Sequence, residues 1–108
     1  ALYPTPFAGG RTTVETLSMG VPVINLRSPM IMGRLGDSLL SRAGLGSLVA
    51  TTADAYVETA VALARDLDGL ERRRTELPGI LRRSRLCDVA GYTRELEEAY
   101  MSMVAGTL

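Results

Sequence analysis

Histidine is absent from this 108-residue sequence, and cysteine occurs once, as Cys87. These absences exclude Cys/His zinc clusters and the Ser-His or Cys-His pairs of nucleophilic catalysis. All twelve cationic residues are arginine, so these residues carry no lysine-dependent chemistry. A single cysteine forms no internal disulfide, and we predict that Cys87 is a small buried apolar residue.

Long apolar runs and net charge are also lacking. No run approaches the ~20 apolar residues that span a bilayer, and the amino terminus does not have the basic and then apolar plan of a signal peptide. Twelve basic residues balance twelve acidic ones, which argues against a general electrostatic affinity for nucleic acid or acidic membrane. We therefore expect an ordinary globular, cytoplasmic protein with no nucleic-acid or membrane partner and no bound metal.

Strand signals lie in the first half of the chain. The segment 21–26, VPVINL, is a continuous β-branched apolar run, typical of a strand that is covered on both faces in a parallel sheet. The segment 47–50 predicts a second, short strand. A parallel sheet needs more strands than this chain supplies, so we predict an α/β fold and a fragment of a larger protein.

Helix signals surround these strands. Thr12 or Thr13 is predicted to cap a helix that Gly20 ends. Apolar residues from 31 to 43 follow helical spacing, and Gly44 is suited to a left-handed cap at the end of that helix.

The second half of the chain reads as helical throughout. The run TTAD at 51–54 resembles a capping box, and Asp68 and Asp88 are predicted to cap two further helices. Pro78-Gly79 should kink or divide the first of these two. The last helix has one apolar stripe, interpreted as core or as an interface with a missing part of the protein: Val89, Tyr92, Leu96, Ala99, Tyr100 and Met103.

The opening stretch FAGGRTT, residues 7–13, combines a small-residue turn with the start of a helix. Unpaired amides and the helix dipole favour a negative charge at such a place, and phosphate is a natural ligand. Gly9 and Gly10 let the backbone approach the phosphate closely. Thr12 and Thr13 add hydroxyl donors, and Arg11 adds a cation.

Glu15, three residues after Thr12, has two interpretations. A carboxylate one turn into the helix can accept hydrogen bonds from both hydroxyls of a ribose, as acidic residues do in other nucleotide-binding folds. The same spacing is also that of a capping box, and two glycines before a helix are often only a turn. The full P-loop and dinucleotide-binding glycine patterns are both absent.

The segment PTPFAGGRTTVETLSMGVPVINL, residues 4–26, resembles the carboxy-terminal, nucleotide-sugar-binding half of the O-GlcNAc transferase family. There a run of the type Pro-Phe-Ser-Gly-Gly-Thr-Thr-Thr-Leu-Asp precedes Trp-Met-Gly-Val-Pro-Val-Val. Three later segments are similar as well, so the resemblance covers nearly the whole chain: MGRLGDSLLSRAGLGSLVA, DAYVETAVALARD and SRLCDVAGYTRELEEAYMSM.

The resemblance implies a glycosyltransferase of GT-B architecture. Residues 1–108 would form the carboxy-terminal part of its nucleotide-sugar-binding domain, a partial Rossmann-like parallel sheet in three layers with a helix-rich second half. The donor would be a UDP-sugar and the acceptor a protein or another molecule. Transfer would be inverting and independent of a metal, because helix amides and basic groups offset the charge on the departing UDP.

The family pattern also implies roles for particular residues. Gly10, Arg11, Thr12 and Thr13 would lie against the donor diphosphate, and Glu15 matches the ribose-binding aspartate. Arg11 stands where the family has a threonine, so it either strengthens diphosphate binding or crowds it. The catalytic base and the family's diphosphate-binding lysine would come from other sequence, on the remaining amino-terminal half. The alternative is a non-catalytic nucleotide-binding or scaffold α/β module.

Overall fold

The computed structural model describes residues 1–106, which fold into helices around a very small sheet. The five α-helices among these residues are α1 Arg11–Ser18, α2 Ile31–Arg42, α3 Ala53–Arg65, α4 Leu67–Arg83 and α5 Val89–Val104. The strands are β1 Asn25–Leu26 and β2 Val49–Ala50, and two 3₁₀ helices span Gly46–Leu48 and Arg85–Cys87. The expected α/β class and the helix-rich second half are confirmed.

The sheet is parallel, as predicted, and much shorter than predicted. Asn25 lies opposite Val49, and Leu26 lies opposite Ala50. Earlier in the apolar run, Ile24 forms one isolated parallel bridge with Leu2, and Val23 is fully buried without ladder pairing. Val23 belongs to the core cluster that includes Leu17, Leu40 and Leu77 of the helices, whereas Val21 is 41% exposed, so the start of the run is not covered as predicted. Regular strand pairing is limited to the last two residues of the run.

The core lies where α1, α2 and α4 meet below the sheet. Its fully buried apolar side chains include Leu17 of α1, Leu40 of α2 and Leu77 of α4. Pro78 follows Leu77 within a continuous α4, so Pro78-Gly79 does not divide this helix, and the alternative that it kinks the helix stays a prediction. Leu77 and Leu81 are both buried in this core, and their packing outweighs the one backbone hydrogen bond that a proline removes.

A close approach joins α1 to α4 at Gly20. This residue has a φ of 78° and follows the last turn of α1. A Cβ at this position would collide with the carbonyl oxygen of Arg74. Pro78, four residues after Arg74, lacks the N–H that would bind this carbonyl oxygen in a regular helix. Gly20 thus ends α1, as predicted, and also allows the two backbones to meet.

The helix caps agree only in part with the sequence patterns. Gly44, with a φ of 76°, follows α2 as predicted, and Asp88 caps α5 by accepting a 2.9 Å hydrogen bond from the Gly91 N–H. The cap of α4 is Asp66 rather than Asp68, which lies in the first turn. Either aspartate suits the role chemically, and the direction in which the chain leaves α3 decides between them.

The cap of α3 also differs by one residue from the predicted box. Thr52 caps it by accepting from the Ala55 N–H at 3.1 Å, and Asp54 lies in the first turn. No side chain caps α1, whose cap residue is Gly10. The prediction that Thr12 or Thr13 caps α1 is therefore wrong, because both residues already have helical geometry.

In the last third, the predicted burial of Cys87 is wrong. Of the two interpretations of the α5 stripe, core is wrong, and an interface with a missing part of the protein stays a prediction. Cys87 is exposed, because it ends a 3₁₀ helix at the margin of the molecule. The stripe of α5 is not core: α5 has no buried residue, and Tyr92 and Tyr100 are 66% and 57% exposed. An amphipathic pattern indicates that a face can be buried, and α5 packs mainly on the 3₁₀ helix before it. No helix among residues 1–106 combines the length and the apolarity that crossing a bilayer requires.

Candidate functional site

The start of α1 lies against the loop that precedes it, and two glycines make this contact possible. A Cβ at Gly9 would lie 2.5 Å from Cε2 of Tyr3, and one at Gly10 would lie 2.7 Å from Cδ2 of Leu35. A Cβ at Gly9 would also meet the Thr12 hydroxyl, so Gly9 is tightly packed, whereas at Gly10 only the end of the flexible Leu35 side chain would have to move. The same absence of side chains leaves the backbone of the turn uncovered at the helix start.

The first amides of α1 are open. The N–H groups of Gly10, Arg11 and Thr12 donate to no group of residues 1–106, whereas the N–H of Thr13 donates to the carbonyl oxygen of Gly10 at 3.1 Å. With no side-chain cap present, three adjacent donors remain at the positive end of the helix dipole. This arrangement suits an anion with several oxygen atoms.

The two threonines of the predicted site face different surroundings. Thr13 is fully buried, and its hydroxyl donates to the carbonyl oxygen of Gly9 at 2.5 Å. Thr12 is exposed, and its carbonyl oxygen accepts a hydrogen bond from the Thr16 hydroxyl. The structure therefore keeps the Thr12 hydroxyl available to a ligand and uses the Thr13 hydroxyl inside the protein.

Arg11 and Glu15 lie together on the outer side of α1. Nε of Arg11 is 2.7 Å from Oε1 of Glu15, and the two side chains are 89% and 55% exposed. Successive residues of a helix are about 100° apart, so Arg11 and Glu15 lie on nearly the opposite side of α1 from the buried Thr13. By the same geometry, Glu15 lies about 60° around the helix from Thr12. Glu15 thus shares an exposed surface with Arg11 and Thr12, and in this structure its carboxylate is occupied by Arg11.

A shallow cleft adjoins the open amides on the Thr12 side. It encloses about 280 Å³ and is mostly apolar. Its lining residues are Tyr3, Pro4, Phe7, Ala8, Gly9 and Thr12. The candidate site therefore combines three backbone donors, a hydroxyl and an arginine with a neighbouring apolar surface, and this combination fits a ligand with an anionic part and a flat or apolar part. Among residues 1–106, no three His, Cys, Asp or Glu side chains come close enough together to hold a metal ion.

Residues 2–96 match the family model described as Glycosyl transferase family 41. The chain belongs to this family. The predicted likeness to O-GlcNAc transferases is therefore confirmed.

Relatives of this family 41 chain occur in plants and animals. A Hordeum vulgare protein named "Probable UDP-N-acetylglucosamine--peptide N-acetylglucosaminyltransferase SPINDLY" is 45% identical over 98 residues, which are 91% of this chain and 10% of that protein. A Caenorhabditis elegans protein named "UDP-N-acetylglucosamine--peptide N-acetylglucosaminyltransferase" is 33% identical over 95 residues, 87% of this chain and 8% of that protein. The chain spans about a tenth of the length of these relatives.

The fold of the family 41 chain also has a solved counterpart. The structure of a mutant O-GlcNAc transferase of Thermobaculum terrenum is similar with a TM-score of 0.84 at 43% identity. The similarity covers 95% of this chain and 20% of that one. The arrangement of helices and strands described above is thus that of one part of a larger transferase.

Two polar groups near the site were not predicted from the sequence. Asn25 is the first residue of β1, and its side chain is 2% exposed and lies against Gly36. The Nδ2 atom of Asn25 has no hydrogen-bond partner among residues 1–106. The signal was visible as a single amide inside the apolar run VPVINL. The Tyr3 hydroxyl lies 3.4 Å from Oγ1 of Thr16, and nothing in the sequence indicated that the first residues of the chain reach α1.

Proposed function

We propose that this chain is the donor-binding portion of a glycosyltransferase that moves N-acetylglucosamine or another hexose from a UDP-sugar to a protein or other acceptor. The relatives' names describe this activity, and the chain covers only a small part of each of them. In this proposal residues 1–108 are the carboxy-terminal part of a GT-B donor domain. Further strands from the remaining amino-terminal sequence would extend the two-stranded sheet into a Rossmann-like one with helices on both faces.

The observation that carries the proposal is the row of open amides at Gly10, Arg11 and Thr12. A diphosphate carries several anionic oxygens, and backbone N–H groups at a helix start bind such oxygens without a desolvated cation. Thr12 adds a hydroxyl to this row. Thr13 contributes indirectly, because its hydrogen bond to the Gly9 carbonyl oxygen fixes the turn that presents the amides.

Glu15 is proposed to bind the ribose of the donor. Its carboxylate lies one turn beyond the amides and is more than half exposed, so a sugar next to the diphosphate is within its reach. The side chain is one methylene longer than the aspartate of the family pattern. The uracil and the transferred sugar would be bound in part by sequence outside this chain.

The proposed transfer is inverting and independent of a metal. The acceptor oxygen attacks the anomeric carbon from the side opposite UDP, the bond to UDP breaks, and the acceptor proton goes to a base outside these residues. Negative charge grows on the leaving diphosphate in this step. The helix holds the amides of α1 in place before the reaction begins, so they stabilise that charge without reorganisation, and the exposed Arg11 guanidinium adds a positive charge beside them.

Calorimetric titration of UDP into the full-length protein tests the site. We expect Thr12→Val and Glu15→Gln each to weaken binding about 10-fold, the factor typical of one lost hydrogen bond to a charged group. Thr75→Val and Glu76→Gln, which change exposed residues on α4, are the matched controls. Binding and transfer should persist in EDTA. Undiminished affinity in both site variants would contradict the assignment.

A second candidate function is a non-catalytic nucleotide-binding or scaffold module. It is favoured by the packing of Gly9 against Tyr3 and by the partly buried hydrogen bond of Thr13 to Gly9, since both would be needed without any ligand. Incubation of the full-length protein with UDP-N-acetylglucosamine and an acceptor protein separates the candidates. Donor binding without transfer would indicate a binding module, and no donor binding would indicate a scaffold.

The proposed partners are the donor, the acceptor and the rest of the same enzyme. The exposed stripe of α5, which includes Tyr92, Leu96 and Tyr100, is proposed to pack on the amino-terminal half. We also propose a cytoplasmic location, as the sequence composition indicates.

A further inference from the structure

Two residues of the proposed donor site neutralise each other in this structure. Arg11 is the first residue of α1, Glu15 lies one turn later, and Nε of Arg11 is 2.7 Å from Oε1 of Glu15. In the proposed function these groups serve different parts of the donor, Arg11 the diphosphate and Glu15 the ribose. Neither can serve its part fully while they are paired.

The pair is weak enough to open. Both side chains are mostly exposed, at 89% and 55%, and water screens the attraction between exposed charges. The cation precedes the anion by four residues, which is the less favourable order on a helix, and Arg11 lies at the positive end of the helix dipole. An exposed pair of this kind changes an equilibrium by a factor of about two.

A diphosphate would offer Arg11 a stronger partner. A guanidinium binds phosphate oxygens through two parallel hydrogen bonds, and these charge-assisted bonds are roughly twice as strong as neutral ones. The open amides of Gly10, Arg11 and Thr12 are next to the Arg11 side chain, and a dianion bound there adds an attraction that offsets the unfavourable interaction of Arg11 with the helix dipole.

The geometry points to an exchange of partners in which Arg11 leaves Glu15 for the donor diphosphate and thereby frees the Glu15 carboxylate for the ribose hydroxyls. This inference rests on the proposed function and deepens it. Arg11 is then a specificity-determining residue: it favours nucleoside diphosphates over nucleosides, because a ligand without phosphate must compete with Arg11 for Glu15.

The test compares two ligands in the full-length protein, UDP by calorimetry and uridine by competition against UDP. Arg11→Thr should weaken UDP binding about 10-fold or more, as expected for lost charge-assisted bonds. The same variant should tighten uridine binding about 2-fold, because Glu15 is no longer occupied. Arg72→Thr, which removes an exposed arginine of α4, is the matched control and should change neither affinity.

Two further variants make the test specific. Arg11→Lys keeps the positive charge but loses the two parallel hydrogen bonds that a guanidinium donates. The UDP affinity of this variant should therefore lie between those of the wild type and Arg11→Thr. In a Glu15→Gln background, Arg11→Thr should still weaken UDP binding but no longer tighten uridine binding. This loss of the uridine effect would support the exchange, since it requires both members of the pair.

The outcomes separate this inference from the proposed function. If UDP binds and depends on Thr12, but Arg11→Thr changes UDP and uridine affinities in the same direction, the exchange is overturned and the donor site stands. Equal UDP affinity in wild type and Arg11→Thr overturns it as well. If the wild-type protein does not bind UDP, the proposed function itself fails.

Discussion

The hydroxyl of Thr13 donates a hydrogen bond to the carbonyl oxygen of Gly9, 2.5 Å away, and closes the turn that begins α1. Thr13 is fully buried, whereas the preceding Thr12 is exposed. One turn of helix therefore contains two threonines with different tasks. The Thr12 side chain is exposed, and the Thr13 side chain holds the backbone turn at the start of the helix.

Substitution by valine should separate these tasks. Thr13→Val leaves the Gly9 carbonyl without its donor in a partly buried place, and we expect it to destabilise the protein by about 1–2 kcal/mol. Thr12→Val should change stability by less than about 0.5 kcal/mol and mainly weaken UDP binding. Thermal unfolding and UDP titration of the full-length variants measure both effects. Equal stability losses in the two variants would contradict the assignment.

Gly20 and Gly44 form a matched pair for a test of the contact between α1 and α4. Their φ values are 78° and 76°, but only at Gly20 would a Cβ meet another group, the Arg74 carbonyl. Left-handed backbone costs an alanine about 1–2 kcal/mol at either position. The collision should add about 1–3 kcal/mol in Gly20→Ala. Chemical denaturation of the two variants measures the difference, and equal losses would show that the contact relaxes freely.

Asp37 should make stability depend on pH in the acid range. Hydrogen bonding to Arg27, at 2.7 Å, lowers the pKa of Asp37 below its usual 3.8, and partial burial opposes this effect. A lowered native pKa means that the carboxylate stabilises the fold above the pKa of the unfolded chain. This contribution is lost as the pH falls from about 4 through the native pKa.

Asp37→Asn should therefore be less stable than the wild type at pH 7, and the difference should shrink below about pH 4. Unfolding measured from pH 7 to pH 2.5 gives the two curves. Glu76→Gln changes an exposed carboxylate that forms no ion pair with residues 1–106 and is the control. A stability gap that stays constant with pH would contradict the role of the Arg27 hydrogen bond.

The apolar stripe of α5 gives a prediction about the larger protein. Leu96 is 37% exposed here, and if the stripe packs on the amino-terminal half, Leu96→Ser should destabilise the full-length protein by about 1–3 kcal/mol. Glu97→Ser, on the neighbouring polar face, should have little effect. Unchanged thermal stability in Leu96→Ser would mean that this face of α5 remains exposed in the whole protein.

Helix ends were predicted well wherever one local feature decides them. Gly20 and Gly44 end their helices because only glycine adopts their positive φ at low cost, and Asp88 caps α5 because no competing cap lies beside it. At α4 two aspartates compete, and the sequence favoured Asp68 over the actual Asp66. The difference depends on how the chain turns after α3, which is a property of packing.

Burial was predicted less well than helix ends, because it depends on which other elements pack against a residue. An apolar stripe on a helix shows which face can be covered but not whether a covering element is present, and neither the α5 stripe nor Cys87 is covered in residues 1–106. Conversely, Pro78-Gly79 was expected to kink or divide a helix that stays undivided, with Leu77 and Leu81 buried before and after it. The donor-binding roles of Gly10, Arg11, Thr12, Thr13 and Glu15 stay predictions.

The sequence by itself determined the family, the α/β class and the turn that begins α1, because these depend on residue types at short, fixed spacings. Only the tertiary structure decided which threonine is buried, that the Tyr3 hydroxyl lies beside Thr16, and that Asn25 carries an unpartnered amide beside Gly36. Each of these facts depends on which groups distant segments bring together and which they leave to water, and no local spacing specifies that.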